Sequence, residues 1–196
     1  MEKIIAGLKR AVARVAGRAE PAPAVSHRVL FVCMGNICRS PTAEGVLRKM
    51  LEERAPDLRV EVASAGTHAY HVGDAPDPRA RRAAERRGVD LSSQRARRIA
   101  VEDFSYYDLV LAMDPLNRAT LLELSPPEYH GRIRLLLEFA PQLGREDVPD
   151  PYYGGGNGFE YVLDLVEEAA IGLIEHLRRT EPPPPAAEAS DAGPAR

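Results

Sequence analysis

The sequence predicts an α/β fold, a three-layer sandwich whose four-stranded parallel sheet carries helices on both faces. Three observations point there. Short β-rich runs alternate with helical apolar spacings between residues 27 and 180, and alternating strands and helices build a parallel sheet with both faces covered. The 196 residues suffice for one well-buried domain of about 150 residues with roughly 40 left for appendages, so two large domains do not fit. Hydrophobic residues make up 44% and charged residues 28%, the balance of a globular chain; collagen-like and wholly disordered readings fail. No apolar run approaches the roughly 18 residues of a membrane span.

The elements follow in order. Over 1–19, Ile4, Leu8, Val12 and Val15 form one stripe with Lys3, Lys9, Arg10, Arg14 and Arg18 around it, the pattern of a short basic amphipathic helix. Such a helix packs on its own domain or touches a membrane surface or partner. The apolar stretch 4–8 is cut off by Lys9 and Arg10, too short for a secretory signal. Pro21 and Pro23 mark a linker, so 1–26 is an extension and 27–180 the domain. Beyond it, 181–196 holds four consecutive prolines and no bulky apolar residue, which reads as a disordered tail.

Within the domain, 27–33 is a strand carrying Val29, Leu30, Phe31 and Val32, and 41–53 is a helix with Ala43, Val46, Leu47, Met50 and Leu51 at helical spacing. A second strand is expected over 58–63 and a helix over 78–87 stopped by Gly88. A third strand follows over 107–113, a helix over 115–124 and a weak fourth strand over 133–137. Phe159, Val162, Leu163, Val166, Ala170, Leu173, Ile174 and Leu177 then set out a strongly amphipathic closing helix.

Charge and cysteine content narrow the function classes. Net charge is −3 from 26 basic and 29 acidic residues, so there is no global positive field to draw nucleic acid, and any polyanion must be met by a local site. All basic residues but Lys3, Lys9 and Lys49 are arginine; that bias carries no functional weight. Cys33 and Cys38 are the only cysteines, too few and too close for a disulfide scaffold. Free thiols, a cytoplasmic location and a catalytic or redox role fit better.

The chemistry sits at the first junction from strand to helix, Cys33-Met34-Gly35-Asn36-Ile37-Cys38-Arg39-Ser40-Pro41. Ser40 is the expected N-cap and Pro41 the first helical residue. A loop between a buried strand and a helix N-terminus presents unpaired N–H groups and a positive dipole end, and so wraps an anion. Gly35 lets the backbone approach closely, and Asn36 tolerates the left-handed conformation that a tight nest requires. Cys33 would face the centre, where positive potential favours the nucleophilic thiolate. Arg39, six residues on, can return its planar fork to two phosphate oxygens. The bare Cys-x5-Arg spacing arises by chance about one time in four here; the strand before it and the helix start after it make it a phosphate-cleaving arrangement.

A thiolate displacing an alkoxide or phenoxide also needs an acid for the leaving group. Asp150 is the best candidate, in the irregular stretch Asp150-Pro151-Tyr152-Tyr153-Gly154 just before the closing helix. Tyr152 and Tyr153 can wall a flat aromatic substrate, and Tyr70 can form another wall, although each alone reads as an ordinary half-buried loop residue.

These motifs resemble those of the low-molecular-weight protein tyrosine phosphatases, from about His27 to Arg179. The matching stretches are 32–41, Ser64-Ala65-Gly66-Thr67, Pro76-Asp77-Pro78-Arg79, Ala112-Met113-Asp114 and the Asp150 segment. The resemblance implies that Cys33 is the nucleophile, Arg39 the transition-state clamp and Asp150 the general acid and later base. It implies that Met34, Gly35, Ile37 and Cys38 line the phosphate loop, that Ser40 hydrogen-bonds the sulfur, and that Asn36, supported by Ser64, holds the loop in shape. It further implies phosphotyrosine proteins as substrates, a bacterial tyrosine kinase among the candidates, and a monomer needing no metal or organic cofactor. It also supports Cys38 as a thiol that captures an oxidised Cys33, against a reading as a buried hydrophobe. Gln94 stands where family members often carry His, so the bracing of Asn36 is expected to be wired differently. The five histidines, Arg97 and Asp114 read as structural.

Arsenate reductases share this fold and loop but relay a disulfide through downstream cysteines, and none follows Cys38. Protein-arginine phosphatases on the scaffold place Thr where Ile37 stands. A redox sensor or a noncatalytic phosphotyrosine-binding module is the alternative of another class; a binder would need neither Cys33 nor Asp150.

Overall fold

The computed structural model describes residues 25–152 and 157–180. The amphipathic stretch over 1–19, most of the linker, Tyr153 and the tail from 181 onward lie outside the described residues.

Strand β1 (His27–Cys33) is followed by helix α1 (Arg39–Arg54), β2 (Val60–Gly66), α2 (Pro78–Arg86), α3 (Val101–Tyr106), β3 (Leu109–Ala112), α4 (Pro115–Leu124), β4 (Ile133–Leu135) and the long α5 (Gly158–Arg179). The strands form one sheet in the order β2-β1-β3-β4, and every pairing is parallel, with Cys33 beside Gly66 and Val32 beside Ala112. The predicted architecture is therefore the observed one.

Two-residue periodicity divides β1 between two cores. Val29, Phe31 and Cys33 face one side and pack with Val46 and Leu47 of α1, Ala80 and Ala84 of α2, and Val162 and Leu173 of α5. Leu30 and Val32 face the other, with Phe104 of α3 and Leu121 of α4. Phe31, Leu47, Leu111 and Leu173 are fully buried, each worth roughly 1.5–3 kcal/mol in apolar surface removed from water. The chain places β2 on one side of β1 and β3 on the other, so the strand order switches at β1, and a crevice opens at the carboxyl ends there.

The structure corrects several boundaries. α1 begins at Arg39, with Cys38 at the N-cap position and no side-chain cap. Ser40 is not the cap, because its hydroxyl is taken up by Ala65 O at 3.2 Å and by Cys33 Sγ at 3.1 Å. Pro41 then falls at the third helical position, where its missing N–H is still one of the unpaired four. β2 starts later than 58 and runs on through Ser64, Ala65 and Gly66, residues that pattern reading leaves out of strands. α3 was not expected; six residues long, it is started by Asp103, whose carboxylate accepts the Ala100 N–H at 2.8 Å. β3 is shorter than 107–113 because Tyr107 closes α3, its N–H donating to Asp103 O. β4 stops at Leu135, where the Glu138 carboxylate accepts the Leu135 N–H and starts a 3₁₀ turn (Leu136–Phe139).

The first two turns of α1 depart from the apolar pattern. Arg39, Ser40, Thr42 and Glu44 are all buried, and buried polar groups require partners.

Candidate active site

Those partners build the site. Four carbonyls of the loop after β1 accept bonds away from its centre: Cys33 O from Thr67 N at 2.9 Å, Met34 O from His68 N at 3.0 Å, Ile37 O from Asp77 N at 2.8 Å, and Cys38 O from Thr42 N and Oγ1. Each peptide is planar and trans, so the N–H groups of Met34, Gly35, Cys38 and Arg39 point the opposite way. Asn36 adopts φ +56°, the left-handed turn expected of it, and its N–H donates to Cys33 Sγ at 3.3 Å. The loop therefore curls around the sulfur.

Behind it runs a buried network. Asn36 Nδ2 donates to Ser40 Oγ and Ser64 Oγ, both at 2.9 Å, and Asn36 Oδ1 accepts the Arg97 N–H at 2.9 Å. Ser64 Oγ donates to Glu44 Oε2 at 2.6 Å, and Arg48 pairs with the other Glu44 oxygen at 2.9 Å. Burial pushes the Glu44 carboxyl up, against the pull of Ser64 and Arg48. Gln94 turns elsewhere, its Nε2 donating to Pro41 O at 3.1 Å; the Arg97 backbone braces Asn36 instead. Gly66 presses on the loop so closely that an added Cβ would lie 2.7 Å from Met34 O, so β2 can support the loop only with glycine there.

Arg39 is 4% exposed in its side chain. Its Nη1 donates to Asp114 Oδ2 at 2.5 Å and to Val148 O at 3.1 Å, and its Nη2 to Asp150 Oδ2 at 3.2 Å. Burial opposes the guanidinium charge, but Cys33, Asp114 and Asp150 outweigh it and hold the proton more firmly than usual. Asp114 also caps α4, accepting the Asn117 N–H on Oδ1 at 2.6 Å. Asp150 accepts the Tyr152 N–H at 3.0 Å, and its loop is tied to the residue after β3 by Val148 N–H donating to Met113 O at 2.8 Å. Burial first, then Asp77, Cys33 and Asp150, push the Cys38 thiol far up and keep it protonated.

A cleft of about 220 Å³ opens over this centre, lined by Cys33, Met34, Gly35, Ile37, Cys38, Arg39, Tyr70, His71, Asp150 and Tyr152. Nine expected site residues thus converge on one hollow. Asn36, Ser40 and Ser64 are buried behind it and do not line it, so Asn36 and Ser40 brace the loop instead of forming the cleft wall. Tyr70 is 75% exposed and stacks on His68 at 5.2 Å, and Tyr152 is 40% exposed; the rim is open where the floor is closed. A larger hollow of about 570 Å³ between α2 and residues 88–92 is lined by no cysteine or histidine. Among the described residues no group of three or more His, Cys, Asp or Glu side chains is arranged to hold a metal ion.

Three residues that the sequence offers only as structural or as part of a motif belong to the site or touch it. Asp114 holds Arg39 as well as its helix; the signal is an acid at the carboxyl end of β3, readable only once β3 is known to lie beside β1. His71 lines the cleft, its ring so close to Gly35 that a Cβ there would lie 3.0 Å from His71 Cδ2, with Nδ1 3.2 Å from Asp74 Oδ2. Arg79 donates to Tyr152 O at 3.2 Å, a contact that no local pattern announces.

A ring of N–H donors around a thiol, a buried guanidinium on one wall and a carboxylate on the rim can bind a tetrahedral oxyanion, attack it and protonate what leaves. The sequence profile described as low molecular weight phosphotyrosine protein phosphatase matches residues 28–182. A low molecular weight protein-tyrosine-phosphatase of Streptomyces coelicolor is 43% identical over 157 residues, covering 79% of this chain and 95% of its own length. The human low molecular weight phosphotyrosine protein phosphatase is 39% identical over 149 residues, 75% of this chain and 93% of its own. Among solved structures, a protein tyrosine phosphatase from Entamoeba histolytica with Hepes in the active site superposes with a TM-score of 0.75 at 38% identity, covering 78% of this chain and 97% of its own.

Proposed function

The chain belongs to the low molecular weight phosphotyrosine protein phosphatases, and we propose that it hydrolyses phosphotyrosine in proteins through a phosphocysteine formed on Cys33. The observation that carries this is the convergence of Cys33 Sγ, held by the Asn36 N–H and set against the Ser40 hydroxyl, with the Arg39 fork and the Asp150 carboxyl around one cleft.

In the first step Sγ attacks phosphorus while the bond to the phenolic oxygen breaks, and Asp150 gives that oxygen its proton. Arg39 and the loop N–H groups hold the three equatorial oxygens, where charge is concentrated in the transition state. The phosphoryl group displaces Asp150 from Arg39 Nη2, and the carboxyl is then free to face the leaving oxygen. In the second step Asp150 takes a proton from water, which attacks phosphorus and releases Sγ. The Ser40 hydroxyl turns its single proton from Ala65 O to the leaving sulfur.

Ile37, Tyr70 and Tyr152 set the substrate class, with Tyr153 the further expected wall. With Sγ on the floor and the aromatic groups at the rim, a phenyl ester reaches Sγ, while a short alkyl ester holds its phosphate too near the rim. Phosphotyrosine proteins are accordingly the partners, a bacterial tyrosine kinase among them, met by one copy of the chain in the cytoplasm. Cys38 is the second thiol of the loop: once peroxide has oxidised Cys33 to the sulfenic acid, Cys38 Sγ gives up its proton and attacks the Cys33 sulfur, forming a reversible disulfide and releasing the sulfenic oxygen as water before further oxidation.

Rapid quenching with an aryl phosphate tests the reading. A phosphoryl adduct on the Cys33 peptide, absent in Cys33→Ser, is expected by mass spectrometry, with phosphotyrosine peptides turned over at least about 100-fold faster than phosphoserine peptides. Turnover without an adduct, or equal rates on the two peptides, rejects it.

A further inference from the structure

We infer that Arg79 is a positioning residue for the general acid, tying the loop that carries the proton to the loop that carries the nucleophile. This rests on the reading of Asp150 given above. Asp77 caps α2, and its carboxylate accepts the Arg79 backbone N–H at 2.7 Å, Nε at 3.1 Å and Nη2 at 2.8 Å. Two arms of the guanidinium are thereby fixed, and the hydrogen bond from Arg79 lowers the Asp77 carboxyl from its ordinary value. The third arm, Nη1, donates to Tyr152 O at 3.2 Å. The guanidinium carbon lies 5.3 Å from the Tyr152 ring centroid and 4.9 Å from that of Phe159, within the range of cation–π attraction.

The strut is anchored at both ends. Asp77 N–H donates to Ile37 O at 2.8 Å, so the residue that grips Arg79 is itself bonded to the loop around Sγ. Tyr152 N–H donates to Asp150 Oδ1 at 3.0 Å, so the residue that Arg79 grips is bonded to the acid. The path Ile37, Asp77, Arg79, Tyr152, Asp150 therefore sets the separation between nucleophile and acid.

Its importance grows during the reaction. Asp150 also leans on Arg39 Nη2, but that contact is given up when Arg39 turns its fork to the phosphoryl oxygens. Arg79 lies outside the cleft and keeps its grip throughout. As the P–O bond breaks, its electron pair stays on the phenolic oxygen, and the Asp150 proton must already be within hydrogen-bond reach. A planar fork with three directed arms fixes this geometry; an ammonium does not.

The test uses the full chain and a series of aryl phosphates running from dinitrophenyl phosphate to phenyl phosphate, whose leaving group resembles tyrosine with its pKa near 10. A misplaced acid is felt only by leaving groups that need a proton. Arg79→Gln is expected to lower kcat/KM about 10- to 30-fold on phenyl phosphate and less than about 3-fold on dinitrophenyl phosphate. Asp150→Ala should show the same selectivity with a larger loss, and the double variant no steeper selectivity than Asp150→Ala alone. Arg79→Lys keeps the charge beside Asp77 while losing the fork, and it carries the same test should the Gln variant fold poorly. An equal loss on both esters, or none, overturns the inference and leaves Asp150 as the acid. A further steepening in the double variant overturns it too. Absence of selectivity in Asp150→Ala overturns the assignment of the acid itself, and the inference with it.

Discussion

The floor and the rim of the cleft are built on opposite principles. On the floor Cys33 and Arg39, and behind them Asn36 and Ser40, are buried, and their polar atoms are tied to partners drawn from β2, from the segment before α3 and from the loop after β3. On the rim Tyr70, Tyr152 and the Asp150 side chain stand at least about a third open to water. A floor assembled from distant parts of the chain can hold donors in place before charge develops, which is what oxyanion stabilisation requires. A rim of exposed aromatic groups can adapt to the flanks of a substrate, and selectivity belongs there. Floor substitutions should therefore damage every ester alike, and rim substitutions should discriminate.

The division is broken most directly at Cys33. Cys33→Ser should lower turnover of aryl phosphates and phosphopeptides alike by about 10⁴-fold or more, measured side by side; retained activity on either class would place the nucleophile elsewhere. Asn36→Ala comes next. It forces alanine into a left-handed turn costing about 1–2 kcal/mol and strips partners from Ser64 and the Arg97 N–H, so a loss of about 2–4 kcal/mol is expected in urea unfolding, with kcat reduced equally on all esters. A loss confined to one ester would move Asn36 to the rim.

Asp77→Ala sharpens the boundary between the two regions. Removing this cap should cost about 1 kcal/mol, or a fall in Tm of about 2–4 °C at neutral pH. The sign of its pH dependence is fixed: Arg79 depresses the folded-state Asp77 pKa, so the stabilisation is complete above the unfolded value of about 3.9 and is lost as pH falls through the folded value. The Tm gap between wild type and variant should close on acidification below about pH 4, and a gap that widens contradicts the ion pair. Smallest is Tyr70→Ala, expected to raise KM for phosphotyrosine peptides about 3- to 10-fold while leaving kcat within about 2-fold. A fall in kcat instead would make Tyr70 part of the floor.

Much of this was legible in the sequence because it is local. β1 announced itself by Val29, Leu30, Phe31 and Val32, α4 by Pro115 and its periodicity, and α5 by eight apolar residues at helical spacing. The loop of 33–40 could be read because its residue types each answer a backbone demand within eight positions. Asp114 and Arg79 could not, since their partners lie 75 and 73 residues away and depend on sheet order and on how α2 meets the loop before α5. The expected cap at Ser40 failed for a related reason: the cap rule describes a serine with water and its own helix for company, and this one has Cys33 and Ala65. α3, with six residues and one buried apolar side chain, Phe104, is too short to display a period.

The alternation of β1 carries a consequence for how the chain can vary. Cys33 shares its side of the strand with Val29 and Phe31, so the sulfur's address is a matter of parity, even steps from a phenylalanine locked between sheet and helices. One residue added or removed between Phe31 and Cys33 would swing Sγ toward the layer holding Phe104 and Leu121, while leaving composition, charge and helix content nearly untouched. The stretch 144–147, which buries no residue, faces no such arithmetic. Length variation tolerated there should be lethal to turnover in the five residues before Cys33, and a library of single-residue insertions would draw that frontier as a step from active to silent clones.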